Sequence, residues 1–190
     1  MAGLGDIPGG PVSRARRADA DPWPRRAAIA IVAILIVRLV SLWFNTTELF
    51  FDEAQYWVWA KEPAFGYFSK PPMLAWIIGA VTSVWGNGEF CIRLFSPVMH
   101  AGTAFLVYLV AARLFDTRTG FWSALIYMTL PAISLSATIA STDVPLLFFW
   151  TLAIWALARL HRSGDGRWWL AVGAAAGLAL LSKYTAGLLG

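Results

Sequence analysis

Five apolar runs, each close to the length of a bilayer crossing, constrain this sequence more than any other feature. They cover residues 27–44, 91–115, 120–140, 144–160 and 168–189. A membrane helix needs about 17 to 25 predominantly apolar residues, and each run falls in that range. Because lipid offers no hydrogen bonds to an open backbone, a helix is the expected conformation. The sequence therefore predicts an all-α integral membrane protein with five transmembrane helices.

The composition agrees with this class. Hydrophobic residues make up 58% of the 190 residues, charged residues make up 14%, and there are 11 tryptophans. Such a chain is too apolar for an ordinary soluble domain, and tryptophans are typical of the two bilayer interfaces. The formal net charge of +4 raises the possibility of nucleic-acid binding. Since the arginines lie between apolar runs, we expect membrane lipids and no nucleic acid as partners.

The basic residues predict the orientation. If the five runs alternate in direction, ten arginines fall on one side of the membrane: Arg14, Arg16, Arg17, Arg25, Arg26, Arg113, Arg118, Arg159, Arg162 and Arg167. The positive-inside rule makes that side cytoplasmic. We therefore predict a multi-pass membrane protein with a cytoplasmic N-terminus. Arg38 lies inside the first run, where it must reach the interface, face protein or form a pair.

Three regions follow from this topology. Residues 1–26 are predicted to form a disordered basic cytoplasmic tail, and residues 27–190 a transmembrane domain. Residues 45–90 are predicted to form an extracytoplasmic loop that carries two interfacial helices, over 49–60 and 72–85. Because Lys70 precedes Pro71, its backbone is expected to be extended.

The first candidate site lies in the predicted helix over 49–60. Asp52 shares a helix face with Tyr56 and Trp59, at spacings of four and three residues. Glu53 is expected to point away from that face, toward Trp57 and the membrane. An acid beside aromatic rings suits sugar binding. Solvated acids on an anchored interfacial helix would give the same pattern, so spacing alone leaves both readings open.

Three further charged residues lie on the same predicted face of the membrane. Lys70 suits a lipid phosphate or, equally, bulk headgroups. Asp143 is either a site residue or the N-cap of the following helix. Lys183 lies near the extracytoplasmic end of the fifth run and either serves the site or reaches the headgroups. The convergence of these residues with Asp52 predicts a site for a phosphorylated, lipid-anchored substrate.

We predict no metal site and no cofactor. His100 and His161 lie in different regions without metal-ligand spacing, and there is one cysteine, Cys91. The adjacent acids Asp52 and Glu53 leave a divalent cation possible, although two neighbouring carboxylates give it little support.

Four motifs carry a family resemblance. They are Asp52-Glu53-Ala54-x-Tyr56-Trp57, Gly66-Tyr67-x-x-Lys70-Pro71-Pro72, Ser141-Thr142-Asp143 and Ser182-Lys183-Tyr184. In this order they resemble the bacterial GT-C glycosyltransferases, specifically the protein O-mannosyltransferase, ArnT-like and Rgt-like group. The resemblance implies the N-terminal half of a GT-C fold in the bacterial inner membrane. It also implies an inverting transfer of sugar from a polyprenyl-phosphate donor at the periplasmic face, which makes the 45–90 loop periplasmic. The acceptor would be a lipid, a polysaccharide or a protein.

The resemblance also implies residue roles. Asp52 matches the catalytic carboxylate, Lys70 matches the residue that contacts donor phosphate, and Asp143 and Lys183 match residues of the same cavity. We assign substrate-binding roles to Glu53, Tyr56 and Tyr67 in the same motifs.

The resemblance is incomplete, because family members have about twice as many spans followed by a soluble periplasmic domain. We therefore expect these 190 residues to be a fragment or to require a partner. The alternative function is a non-enzymatic carrier or flippase for a polyprenyl-linked lipid, which would place ionisable groups near the middle of the bilayer. A purely structural membrane subunit gives no reason for the extended Lys70 before two prolines.

Overall fold

The computed structural model describes residues 21–68 and 70–189, and this part of the chain is almost entirely helical. The helices are α1 (Trp23–Trp43), α2 (Phe51–Ala60), α3 (Met73–Trp85), α4 (Glu89–Arg93), α5 (Phe95–Leu114), α6 (Thr117–Thr129), α7 (Pro131–Ser136), α8 (Asp143–Ser163) and α9 (Trp168–Ser182). A short 3-10 helix, Tyr184–Leu189, follows. The predicted all-α membrane architecture is confirmed.

Three helical segments are long and apolar enough to cross a membrane. They are α1, the continuous segment Glu89–Leu114 that joins α4 to α5, and α8. These segments confirm the first, second and fourth predicted spans. Helices α5 and α6 pack closely because a glycine leaves room between them: a Cβ added at Gly120 of α6 would lie 2.9 Å from the Tyr108 carbonyl of α5.

The third and fifth predicted spans are also helical, but their helices are shorter than the apolar runs because each run contains a break. Leu130 adopts an extended conformation, with ψ of 132°, and separates α6 from α7. The cause is Pro131, which has no N–H and disfavours helical geometry in the residue before it. Similarly, α9 ends at Ser182 because Lys183 is extended, with φ −159° and ψ 134°.

The two helices predicted in the 45–90 loop are present as α2 and α3. Leu74 and Ile78 of α3 are fully buried in a core that also contains Tyr56 of α2 and Val144 of α8. The backbones of Tyr67 and Lys70 exchange two hydrogen bonds, of 3.2 and 3.3 Å, which confirms that Lys70 is extended. The α2–α3 unit is therefore attached to the end of the helix bundle where α8 begins. Its location at the membrane surface stays a prediction.

Arg38, the charge inside the first apolar run, faces protein. Its Nη2 donates to the Met128 carbonyl at 2.5 Å and to Ser134 Oγ at 3.4 Å. The carbonyl of Met128 is free to accept because the break at Pro131 interrupts the helical hydrogen bonding there. Of the three environments that the sequence left open for Arg38, the structure selects this one.

Helix α1 begins within the segment that was predicted to be a disordered tail. Helix α1 begins at Trp23, with Pro22 as its N-cap and a proline in its first turn, which is favourable for helix initiation. The prediction of disorder is therefore wrong for residues 23–26, and residues 1–20 lie outside the described part of the chain. The Trp23 ring contacts the guanidinium groups of Arg26 and Arg118, at 4.9 and 5.7 Å from its centroid.

Candidate functional site

A cavity of about 610 Å³ lies where α2, the Lys70 segment, the connection before α8 and the segment after α9 meet. Four separate parts of the chain contribute side chains to its wall: Asp52 and Tyr56, Lys70, residues 139–142, and residues 183–185. Asp52, Lys70 and Lys183, which were predicted from three separate motifs, therefore line one cavity.

Asp52 and Lys70 form the first ion pair of the cavity. Lys70 Nζ donates to Asp52 Oδ1 at 2.7 Å, and the two side chains are 30% and 68% exposed. The same ammonium group lies 5.2 Å from the centroid of the Tyr56 ring. Tyr56 in turn meets Trp59 edge to face at 5.3 Å, so the helix face expected from the spacing of these residues is present. Asp52 thus remains accessible from the cavity.

Asp143 and Lys183 form the second ion pair, with Lys183 Nζ donating to Asp143 Oδ1 at 2.7 Å. Lys183 lines the cavity, and Asp143 supports it from the first turn of α8. The N-cap of α8 is Thr142, so the N-cap reading of Asp143 is wrong, although a carboxylate in the first turn still interacts favourably with the helix dipole. The extended backbone at Lys183 turns its side chain toward α8.

Glu53 lies inside the protein, so the prediction that it faces the membrane is wrong. It forms a bidentate pair with Arg93, from Nε to Oε1 at 2.9 Å and from Nη2 to Oε2 at 2.6 Å. The side chains are only 3% and 2% exposed. The remaining Arg93 donors bind the carbonyls of Thr47 at 2.8 Å and Glu48 at 2.9 Å.

The backbone completes the environment of this carboxylate. Oε2 accepts the Phe50 N–H at 2.9 Å, and Oε1 accepts the Ala140 N–H at 2.6 Å. Burial raises the pKa of Glu53, but the hydrogen bonds from Arg93, Ala140 and Phe50 outweigh it and hold the pKa below its usual range. Glu53 borders the cavity as an ionised residue whose acceptor capacity is used, and its substrate-binding role stays a prediction.

Tyr56 presents a hydroxyl group with unused hydrogen-bonding capacity. The residue is 2% exposed, it borders the cavity, and its Oη has no hydrogen-bond partner among the described residues. Burial and the nearby Asp52 and Tyr184 raise the pKa of Tyr56, so the phenol is neutral and can donate a hydrogen bond. A buried hydroxyl without a partner is costly, and a ligand oxygen in the cavity would relieve that cost.

Tyr67 does not reach the cavity. Its hydroxyl donates to the carbonyls of Trp59 at 2.9 Å and Glu62 at 3.1 Å, and its ring stacks on Trp59 at 4.7 Å. It therefore holds the loop before Lys70 in shape, and its predicted contact with substrate stays a prediction.

Sequence reasoning missed two residues of this region. Tyr184 follows Lys183 in a motif that was recognised, yet only the structure brings its side chain to the cavity. Arg93 had a detectable signal, because an arginine at the start of an apolar run needs a partner. Across residues 21–68 and 70–189, no group of three or more His, Cys, Asp or Glu side chains is arranged to hold a metal ion.

The comparisons with known proteins point in one direction. Residues 69–190 match the sequence model of the dolichyl-phosphate-mannose-protein mannosyltransferase family. The lipid A galacturonosyltransferase RgtD of Rhizobium johnstonii is 39% identical over 162 residues, which cover 85% of this chain and 34% of the relative. The undecaprenyl phosphate-alpha-4-amino-4-deoxy-L-arabinose arabinosyl transferase of Pseudomonas savastanoi pv. phaseolicola is 28% identical over 178 residues, which cover 84% of this chain and 33% of the relative.

An uncharacterised protein of Aquifex aeolicus is 26% identical over 176 residues, covering 86% of this chain and 35% of the relative. The chain thus spans about a third of the length of these curated relatives. No solved structure matches it significantly.

Proposed function

Because the chain belongs to the dolichyl-phosphate-mannose-protein mannosyltransferase family, we propose that it carries the catalytic face of a membrane glycosyltransferase. The enzyme moves a sugar from a polyprenyl-phosphate donor to an acceptor at the periplasmic face. Lipid, polysaccharide and protein acceptors suit the family. Because one relative is a lipid A galacturonosyltransferase, a lipid is the favoured acceptor of the three.

One observation carries the proposal: the cavity joins an accessible carboxylate, Asp52, to two ammonium groups from distant parts of the chain, Lys70 and Lys183. The carboxylate and the cations match the two halves of the reaction. The acceptor must lose a proton, and the departing phosphate gains negative charge. A purely structural membrane subunit gives no reason for this combination.

Asp52 acts as the general base. A sugar hydroxyl is a poor nucleophile at neutral pH, and a carboxylate within hydrogen-bond reach removes its proton as the new bond forms. The acceptor oxygen attacks the anomeric carbon from the face opposite the phosphate, which inverts the configuration. Asp52 suits this role because its exposed carboxylate uses one oxygen in the pair with Lys70, and the other is available.

Lys70 and Lys183 receive the donor phosphate. As the glycosidic bond breaks, charge develops on the phosphate oxygen, and fixed ammonium groups stabilise that charge more in the transition state than in the ground state. The neutral Tyr56 hydroxyl supplies a further hydrogen bond from the cavity wall. Each lysine is paired with its own aspartate, so donor binding exchanges a carboxylate for a phosphate at each cation.

The alternative of a carrier or flippase gains no support from the interior of the helix bundle. A carrier needs ionisable groups that bind cargo within the membrane. Arg38 and His100 lie there, but their polar atoms bond to protein groups, including the Met128 carbonyl and the Tyr127 hydroxyl. The groups available to a ligand lie at one end of the bundle.

The test is sugar transfer by the full-length protein in proteoliposomes, supplied with labelled polyprenyl-phosphate sugars and a glycolipid acceptor. We expect transfer by the wild type and by the Lys61→Ala control, since Lys61 lies against Trp57 and outside the cavity. We expect none by Asp52→Asn. Movement of donor across the bilayer without sugar transfer would instead support the carrier.

A further inference from the structure

The second membrane segment carries a row of buried polar side chains that the proposed chemistry does not use. Arg93, Ser96, His100 and Thr103 recur at spacings of three, four and three residues, which places them on one helix face. Each is no more than 1% exposed. Polar groups buried in an apolar helix are costly unless they are hydrogen-bonded, so their partners indicate what the row holds in place.

Two of these residues bind the segment that connects α6 to α8. Ser96 Oγ donates to the Ile139 carbonyl at 2.7 Å. The two ring nitrogens of His100 lie 2.8 Å from the Tyr127 hydroxyl and 3.1 Å from Ser136 Oγ. His100 thus joins the end of α6 to the end of α7, across the break at Pro131.

The connection that follows α7 forms one wall of the cavity. Residues 139–142 line it directly, and the next residue, Asp143, holds the ammonium group of Lys183. At Ile139 and Ala140 the backbone bonds to side chains of other helices: the Ile139 carbonyl accepts from Ser96, and the Ala140 N–H donates to Glu53. The shape of this wall therefore depends on side chains that lie behind it.

We propose that Ser96 and His100 are positioning residues for the donor site, acting through residues 139–142 and without touching substrate. This proposal rests on the proposed glycosyltransferase function for its catalytic consequence. Ser96 sets the backbone of the wall, and His100 fixes the α7 end from which the wall departs. Loss of either contact lets the wall relax and shifts the Asp143–Lys183 pair away from the donor phosphate.

The first experiment compares Ser96→Ala with Thr151→Val in the full-length protein. Both changes remove a hydroxyl, but that of Thr151 bonds only to the Leu147 carbonyl of its own helix, at 2.7 Å. We expect Ser96→Ala to raise the donor KM about tenfold, the effect of losing one well-placed hydrogen bond. Thr151→Val should leave the KM unchanged. Equal donor KM values for Ser96→Ala and wild type would overturn the role of Ser96.

A second experiment separates positioning from simple stabilisation at His100. His100→Phe alone leaves the half-buried hydroxyls of Tyr127 and Ser136 without this partner, so we expect it to lower thermal stability as well as donor binding. The triple variant His100→Phe, Tyr127→Phe, Ser136→Ala removes all three polar groups and should recover stability. We expect its donor KM to remain raised. Recovery of both stability and KM would overturn the role of His100.

A third experiment does not depend on sugar transfer, so it separates the positioning proposal from the proposed glycosyltransferase function. Thr142→Cys in a Cys91→Ala background reports the exposure of the wall through its rate of thiol labelling. We expect Ser96→Ala to speed this labelling severalfold and Thr151→Val to leave it unchanged. Should the wild type transfer no sugar, the proposed function fails while the labelling still tests the wall. An unchanged labelling rate in an active enzyme would contradict the positioning proposal alone.

Discussion

Two neighbouring acids on one helix have opposite environments. Asp52 pairs with Lys70 at the cavity surface, where its side chain is 68% exposed. Glu53 pairs with Arg93 in the interior, where its side chain is 3% exposed and both oxygens accept backbone N–H groups as well. The exposed pair is easily exchanged, because water screens it and one carboxylate oxygen is unused. The buried Glu53–Arg93 pair cannot be exchanged in this way, because both carboxylate oxygens are occupied.

This difference suits the two residues to separate roles. Under the proposed function Asp52 takes a proton and releases Lys70, whereas the contacts of Glu53 tie α2 to the second membrane segment and to the cavity wall at Ala140. Substitutions at the two positions should therefore fail in different ways.

The largest effect is expected from Glu53→Gln. The change leaves Arg93 buried without a counter-charge, and breaking one side of a buried pair typically costs about 3–5 kcal/mol of folding free energy. Thermal unfolding in detergent measures the loss, with the exposed acid Glu62→Gln as the control. A variant that unfolds at the wild-type temperature would contradict a framework role for Glu53.

Asp52→Asn should instead abolish sugar transfer while the protein stays folded. A general base contributes about a hundredfold to ten-thousandfold in rate. The same change frees Lys70 from its carboxylate, so the variant should bind a polyprenyl phosphate at least as tightly as wild type. Single-turnover transfer and lipid-phosphate binding measure the two parts. Weaker phosphate binding by the variant would argue against the exchange of Asp52 for phosphate at Lys70.

Lys70→Ala should weaken donor use by about 2 kcal/mol, the cost of losing a charge-assisted contact. Lys70→Arg keeps the charge and should recover part of the loss. Steady-state donor kinetics provide the measurement, with Lys61→Ala as a matched lysine outside the cavity. Donor kinetics that do not change in the alanine variant would remove Lys70 from the phosphate site.

The smallest effect is on acid stability. The pKa of Glu53 is lower in the folded protein than its usual value of about 4.3, so its contribution to stability is complete above that pH. It is lost as the pH falls through the folded-state value. Thermal unfolding between about pH 3 and 6 should show a fall that is absent in Glu53→Gln. Parallel curves for the two proteins would contradict this assignment.

The sequence predicted the helices better than it predicted the side-chain contacts between them. Apolar length identified the membrane helices, and Pro71 identified the extended Lys70, because both depend on local chemistry. The partnership of Glu53 with Arg93 joins residues 40 positions apart, and that with Ala140 joins residues 87 apart. Helix periodicity predicts the face on which a residue lies. It does not predict which other helix or loop packs against that face. The buried position of Glu53 was therefore not predictable from the sequence.

The contact of Arg38 with Met128 has a consequence for how the chain is made. The first membrane segment is synthesised before the third, so a guanidinium group reaches the bilayer 90 residues ahead of the carbonyl that will receive it. A long basic side chain without a protein acceptor is least costly when it extends to the lipid–water boundary. Synthesis of Met128 and Pro131 then supplies an acceptor inside the protein. The protein contacts of Arg38 can therefore form only after the segment that contains Met128 and Ser134 has been made.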